Sequence, residues 1–122
     1  MYRLLILLLL ALPAHAHEMT PAYVKLEPSH VEGVVKAEMS MFNKRKDADW
    51  YEIGVFTEDW QPVPFVSSYK VMRLRYLEHI EFDVYIRSKD AAKTQYICSH
   101  SKLKANGTGT LVVTRICSKL HH

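Results

Sequence analysis

Apolar and polar residues alternate along most of the chain with a period of two. Val35, Ala37, Met39 and Met41 fall on one side of an extended backbone, and Lys36, Glu38 and Ser40 fall on the other. That pattern reads as a half-buried strand, because successive side chains of a strand point to opposite faces. Ile80, Phe82, Val84 and Ile86 alternate in the same way against Glu81, Asp83, Tyr85 and Arg87. Trp50 to Thr57 is dense in aromatic and β-branched residues, which fit a pleated surface. Runs at Tyr23 to Val31 (interrupted or bent at Pro28), Lys70 to Tyr76, Tyr96 to Leu103 and Leu111 to Ser118 bring the predicted strands to seven. Phe65 and Val66 follow Pro62 and Pro64, and proline cannot donate to a strand ladder, so that segment is irregular or an edge. Helical character is confined to one turn within Ser88 to Thr94. Seven short strands separated by turns predict an all-β, immunoglobulin-like β-sandwich, with a barrel as the structural rival.

The first sixteen residues have a different pattern. One charge at Arg3 precedes an apolar run from Leu4 to Leu12, then Pro13 and the small-x-small sequence Ala14-His15-Ala16. This is the layout of a secretory signal peptide at residues 1–16. The run is about half the roughly 20 residues a membrane span needs. Cleavage after Ala16 is expected to leave a single domain, residues 17–122, beginning at His17 and carrying no membrane span. Its formal charge falls from +3 to +2 with the loss of Arg3.

Export to the periplasm or outside the cell permits a disulfide between the two cysteines, Cys98 and Cys117. Between them, Asn106-Gly107-Thr108-Gly109 is a strong hairpin signal. A turn centred between Gly107 and Thr108 makes antiparallel partners sum to 215, which sets Cys98 directly opposite Cys117. Two cysteines alone do not make a zinc site, and no Cys-x-x-Cys redox pair exists.

Composition narrows the function classes. Hydrophobic residues make up 48% of the chain, which excludes disorder. Sixteen basic residues against thirteen acidic ones, scattered along the sequence, do not form the footprint of a nucleic-acid binder.

Several segments, in order, carry a family resemblance. A second strand ends at Asn43, and Trp50-Tyr51-Glu52-Ile53-Gly54-Val55-Phe56 is an aromatic third strand. Phe65-Val66-Ser67-Ser68-Tyr69-Lys70-Val71-Met72-Arg73-Leu74 runs into an Arg-Leu pair, and the alternating strand at Ile80 follows. From about Leu26 to Leu103 this resembles the N-terminal immunoglobulin-like domain of periplasmic pilus-assembly chaperones. The resemblance implies an ATP-free, non-enzymatic binding module that pairs a strand with an incomplete, pilin-like subunit or another extended protein segment. Pro28 lies near the place of the family's first-strand arginine, with Lys25 as the neighbouring cation. Ser68-Tyr69 replaces a proline pair, and the sequence ends at His122, ahead of the family's second domain.

The candidate partner-binding residues are Trp60, Leu111, Val113 and Lys25. Trp60 follows a turn beside prolines and is expected to be exposed. Leu111 and Val113 share a face with Cys117 in the final strand; the competing reading places such alternating apolar residues in the core.

No cofactor is expected. The alternative is copper on His17, whose amine and imidazole together would suit Cu(II) after cleavage, with His30, His79 or His100 as a second ligand. Ser99-His100-Ser101 fails as a nucleophile and base, because adjacent strand residues face opposite ways. Glu58-Asp59 reads as a solvated turn, and Lys44-Arg45-Lys46 with the following Asp47 and Asp49 as a solvated loop. Asn106-Gly107-Thr108 also matches a glycosylation acceptor, and His121-His122 matches the remnant of an expression tag.

Overall fold

The computed structural model describes residues 17–102 and 113–122. The predicted signal segment 1–16, the predicted turn at Asn106-Gly107 and Leu111 lie outside the described residues. Among the described residues ten strands follow in chain order: β1 (Glu18–Thr20), β2 (Tyr23–Val24), β3 (Glu27–Pro28), β4 (Val34–Phe42), β5 (Trp50–Thr57), β6 (Phe65–Ser67), β7 (Val71–Arg73), β8 (His79–Arg87), β9 (Thr94–Ser101) and β10 (Arg115–Leu120). The predicted helical turn is α1 (Ser88–Ala91).

Two five-stranded sheets form an immunoglobulin-like sandwich. The first has the order β1-β4-β8-β6, with β3 sharing the outer edge of β4; the second has the order β2-β10-β9-β5-β7. The alternation read from sequence sets which residues meet between them. Ala37, Met39 and Met41 of β4 and Phe82, Val84 and Ile86 of β8 face Tyr51, Ile53 and Val55 of β5, Ile97 of β9 and Leu120 of β10, all buried in one core. Burying each of the larger side chains contributes roughly 1.5–3 kcal/mol.

Each of the seven predicted runs contains a strand, and the edge segment at Phe65 is strand β6. The first run differs from expectation. The run is interrupted, but ahead of Pro28 and not at it: β2 and β3 belong to different sheets, and β1 precedes both. The chain therefore crosses from one sheet to the other and back between Thr20 and Glu27, and each piece pairs over only two or three residues. The Cys98–Cys117 disulfide is present. The register of β9 on β10 is the predicted one, with His100 opposite Arg115, Ser99 opposite Ile116 and Cys98 opposite Cys117.

Candidate functional site

The last strand is only partly covered. β2 runs parallel to β10 at Lys119 and Leu120 alone. There the Lys119 N–H donates to the Ala22 carbonyl (2.9 Å) and the His121 N–H to the Val24 carbonyl (2.7 Å). On the other side of the strand, the Ser101 N–H donates to the Thr114 carbonyl at 2.9 Å. Peptide groups of alternate residues point to opposite edges of a strand. The N–H and C=O of Arg115 and Cys117 therefore point the same way as those of Lys119, past the end of β2. Among the described residues no strand pairs with this side of the stretch, away from β9. Unpaired edge groups of this kind are a template for another strand.

The outward side chains beside that edge form an aromatic and cationic group. Trp60 adopts φ 63°, a conformation that costs a bulky residue roughly 1–3 kcal/mol. A tight turn holds it, in which the Trp60 N–H donates to the Thr57 carbonyl (3.0 Å) and the Gln61 N–H to Thr57 Oγ1 (3.1 Å). The indole stacks on Tyr96 with centroids 4.4 Å apart and planes 5° apart, and the Arg115 guanidinium lies 4.5 Å from its centre. Phe56 stands 5.9 Å away. Its ring folds over Gly54, the cross-strand neighbour of Cys98; a Cβ at Gly54 would lie 2.7 Å from two atoms of that ring.

Beneath this edge lies a buried polar network. Asn43 donates from Nδ2 to the carbonyls of Ala48 and Leu74, both at 2.8 Å, and accepts on Oδ1 from the Arg45 N–H (2.8 Å) and the Tyr51 hydroxyl (2.7 Å). Arg45 forms a two-pronged pair with Asp47 and reaches Ser101 Oγ and Thr114 Oγ1, both at 3.1 Å. Its side chain is only 4% exposed, which corrects the reading of Lys44-Arg45-Lys46 as a wholly solvated loop. The guanidinium is buried because its planar donors find fixed partners on two other segments.

His17 is fully buried, its ring 4.5 Å from that of Tyr51. His17 Nε2 lies 2.7 Å from Ser99 Oγ and 3.3 Å from the Ser99 carbonyl, while Nδ1 lies 3.3 Å from Thr114 Oγ1. A carbonyl only accepts, which favours the Nε2-protonated tautomer. Burial pulls the imidazole down to about 4, against the opposing Ser99 hydrogen bond, and pushes the Tyr51 hydroxyl up to about 12. Arg45 and His17 thus tie Ser101 and Thr114, the two residues that bracket segment 103–112.

The predicted site residues separate into groups. Trp60 is 43% exposed, as expected of it, and Val113 is 54% exposed. Val113 shares the outward row of Arg115 and Cys117, so the core reading does not hold for it. Lys25 is exposed between β2 and β3. His30 and His79 are exposed, and His100 lies 3.4 Å from Glu52. Among the described residues no group of three or more His, Cys, Asp or Glu is placed to hold a metal. Ser99 is buried, whereas its neighbour His100 is half-buried beside Glu52 on the outward row of β9.

No family model and no curated protein matches the sequence. Solved structures do match in shape. The Escherichia coli chaperone DraB superposes with a TM-score of 0.64 at 16% identity, covering 87% of this chain and 53% of DraB. The Salmonella enterica complex of the SafA pilin with the SafB chaperone gives 0.63 at 16% identity, again covering 87% of this chain and 53% of the matched one. The chain spans about half the length of the structures it matches, and across that span it has the immunoglobulin-like fold of these chaperones.

Proposed function

We propose that the protein is an exported, non-enzymatic binding module of chaperone type, acting in the periplasm on a pilin-like subunit. The edge at Arg115 and Cys117 receives an extended segment of the subunit as an added strand, with backbone hydrogen bonds giving affinity and alternate side chains giving selectivity. The observation that carries this reading is the run of outward peptide groups on β10 that β2 leaves uncovered. Two further facts support it: the fold is that of chaperones, one of them solved with a pilin, and no helix among the described residues is long and apolar enough to cross a membrane.

The geometry supplies a selective test. The Arg115 N–H points to the free edge, so Arg115→Pro removes a donor the partner would use and leaves the ladder to β9 intact. Arg115→Gln keeps the donor. Capture of a pilin-type subunit should fall at least tenfold in the proline variant relative to the glutamine variant. Equal capture by the two would remove strand pairing at this edge.

A further inference from the structure

Taking strand pairing at this edge as given, we infer that the received segment is acidic on its outward face, with a carboxylate placed opposite Arg115. The inference starts from charges that the molecule leaves uncompensated. No carboxylate among the described residues pairs with Arg115, Lys119 or Lys25. Glu52, on the outward row of β5 in this sheet, is already held by Lys102 at 2.9 Å and His100 at 3.4 Å. The Lys102 hydrogen bond lowers the Glu52 carboxyl from its ordinary value. On the opposite sheet Glu38 and Asp83 stand directly across from each other, with Glu38 paired to Lys36 at 3.1 Å, and Glu81 lies opposite Ser40.

Arg115 is also held in one place. Its guanidinium lies against the Trp60 indole, which is itself stacked on Tyr96 and set by the left-handed turn at Trp60. A guanidinium held against a ring by cation–π attraction keeps its fork of N–H donors, which matches the two oxygens of a carboxylate. The cation is thus restrained in position before a partner arrives.

Strand geometry converts this into a sequence pattern. A strand added beside β10, in either direction, places every second side chain on the face of Arg115 and Lys119, with directly opposed Cβ atoms about 5 Å apart. The intervening side chains fall on the inward row of Ile116, which packs against the core. The segment that fits alternates apolar residues with aspartate or glutamate.

The test uses three synthetic peptides of roughly ten residues, a length typical of longer strands, in which valine alternates with glutamate, serine or lysine. Binding to the oxidised protein is measured by calorimetry at low and high salt. The glutamate peptide should bind about tenfold more tightly than the lysine peptide, a difference of about 1.4 kcal/mol. Salt should shrink that ratio, and Arg115→Gln should bring it below about threefold. Equal binding of the glutamate and lysine peptides, or a ratio unchanged in Arg115→Gln, overturns the acidic assignment while leaving edge pairing in place. Failure of all three peptides to bind counts against edge pairing itself. Self-association of the free protein that Arg115→Glu abolishes would give this face to a second copy and overturn the inference.

Discussion

Replacing Asn43 with alanine should be among the most damaging single changes in the molecule. The side chain is fully buried and makes four hydrogen bonds, two as donor and two as acceptor. Alanine leaves the carbonyls of Ala48 and Leu74, the Arg45 N–H and the Tyr51 hydroxyl without that partner. An orphaned buried group costs about 1–3 kcal/mol, so the simple sum is about 4–12 kcal/mol. The vacated amide volume admits a water that can recover some of these bonds, which brings the expectation to about 3–5 kcal/mol. That is a large share of the 5–15 kcal/mol typical of a domain. Tyr51→Phe removes one donor and leaves Asn43 Oδ1 with Arg45, so its expected cost is about 1 kcal/mol. The assay is urea unfolding of the oxidised protein, fitted by linear extrapolation. Because the two residues share a bond, the double variant should fall short of additivity by about 1 kcal/mol. A loss under 1 kcal/mol for Asn43→Ala, or strict additivity with Tyr51→Phe, would refute the network as the anchor of Arg45 beneath the β10 edge.

Two further outcomes follow from the same region. His17 is held at about 4 in the folded protein, against 6.5 when free, so between those values the unfolded chain binds more protons and stability falls as pH falls. The loss should begin near pH 6.5, level off near pH 4, and reach at most about 3 kcal/mol; a His17→Gln variant should lack this component, and identical pH profiles for the two proteins would contradict it. Converting both Cys98 and Cys117 to alanine should cost about 3 kcal/mol in urea unfolding, as expected for opening a loop of this length. A midpoint unchanged from that of the oxidised protein would show that the hairpin holds its register without the bond.

What could be read from the sequence was whatever short-range pattern determines. Period-two alternation located β4 and β8, and the Asn106-Gly107 signal fixed a register in which Cys98 meets Cys117, because a hairpin's pairing follows from where it turns. The edge character of Phe65 followed from its prolines. The burial of Arg45 and His17 was hidden for the opposite reason. Arg45 finds partners at Ser101 and Thr114, 56 and 69 residues away, and His17 finds its partners at Ser99 and Thr114, 82 and 97 residues away. No local charge pattern reports contacts of that range. The free stretch of β10 was hidden as well, because it depends on how little of the first strand stays in each sheet. Pro28 hinted that the strand would be interrupted or bent but not that it would change sheets. The placement of Trp60 was half visible, since its exposure was expected from the turn, whereas its contacts with Tyr96 and Arg115 need the β9–β10 register.

Amide hydrogen exchange, resolved residue by residue along the last strand, tests the uncovered edge most directly. In the protein alone, the Arg115 and Cys117 amides should exchange much faster than those of Ile116 and Ser118, whose N–H groups point toward β9. With a pilin-type subunit or the valine-glutamate peptide bound, the fast pair should become protected. Arg115 and Cys117 amides that are already slow in the free protein, or that stay fast in the complex, would contradict strand addition at this edge.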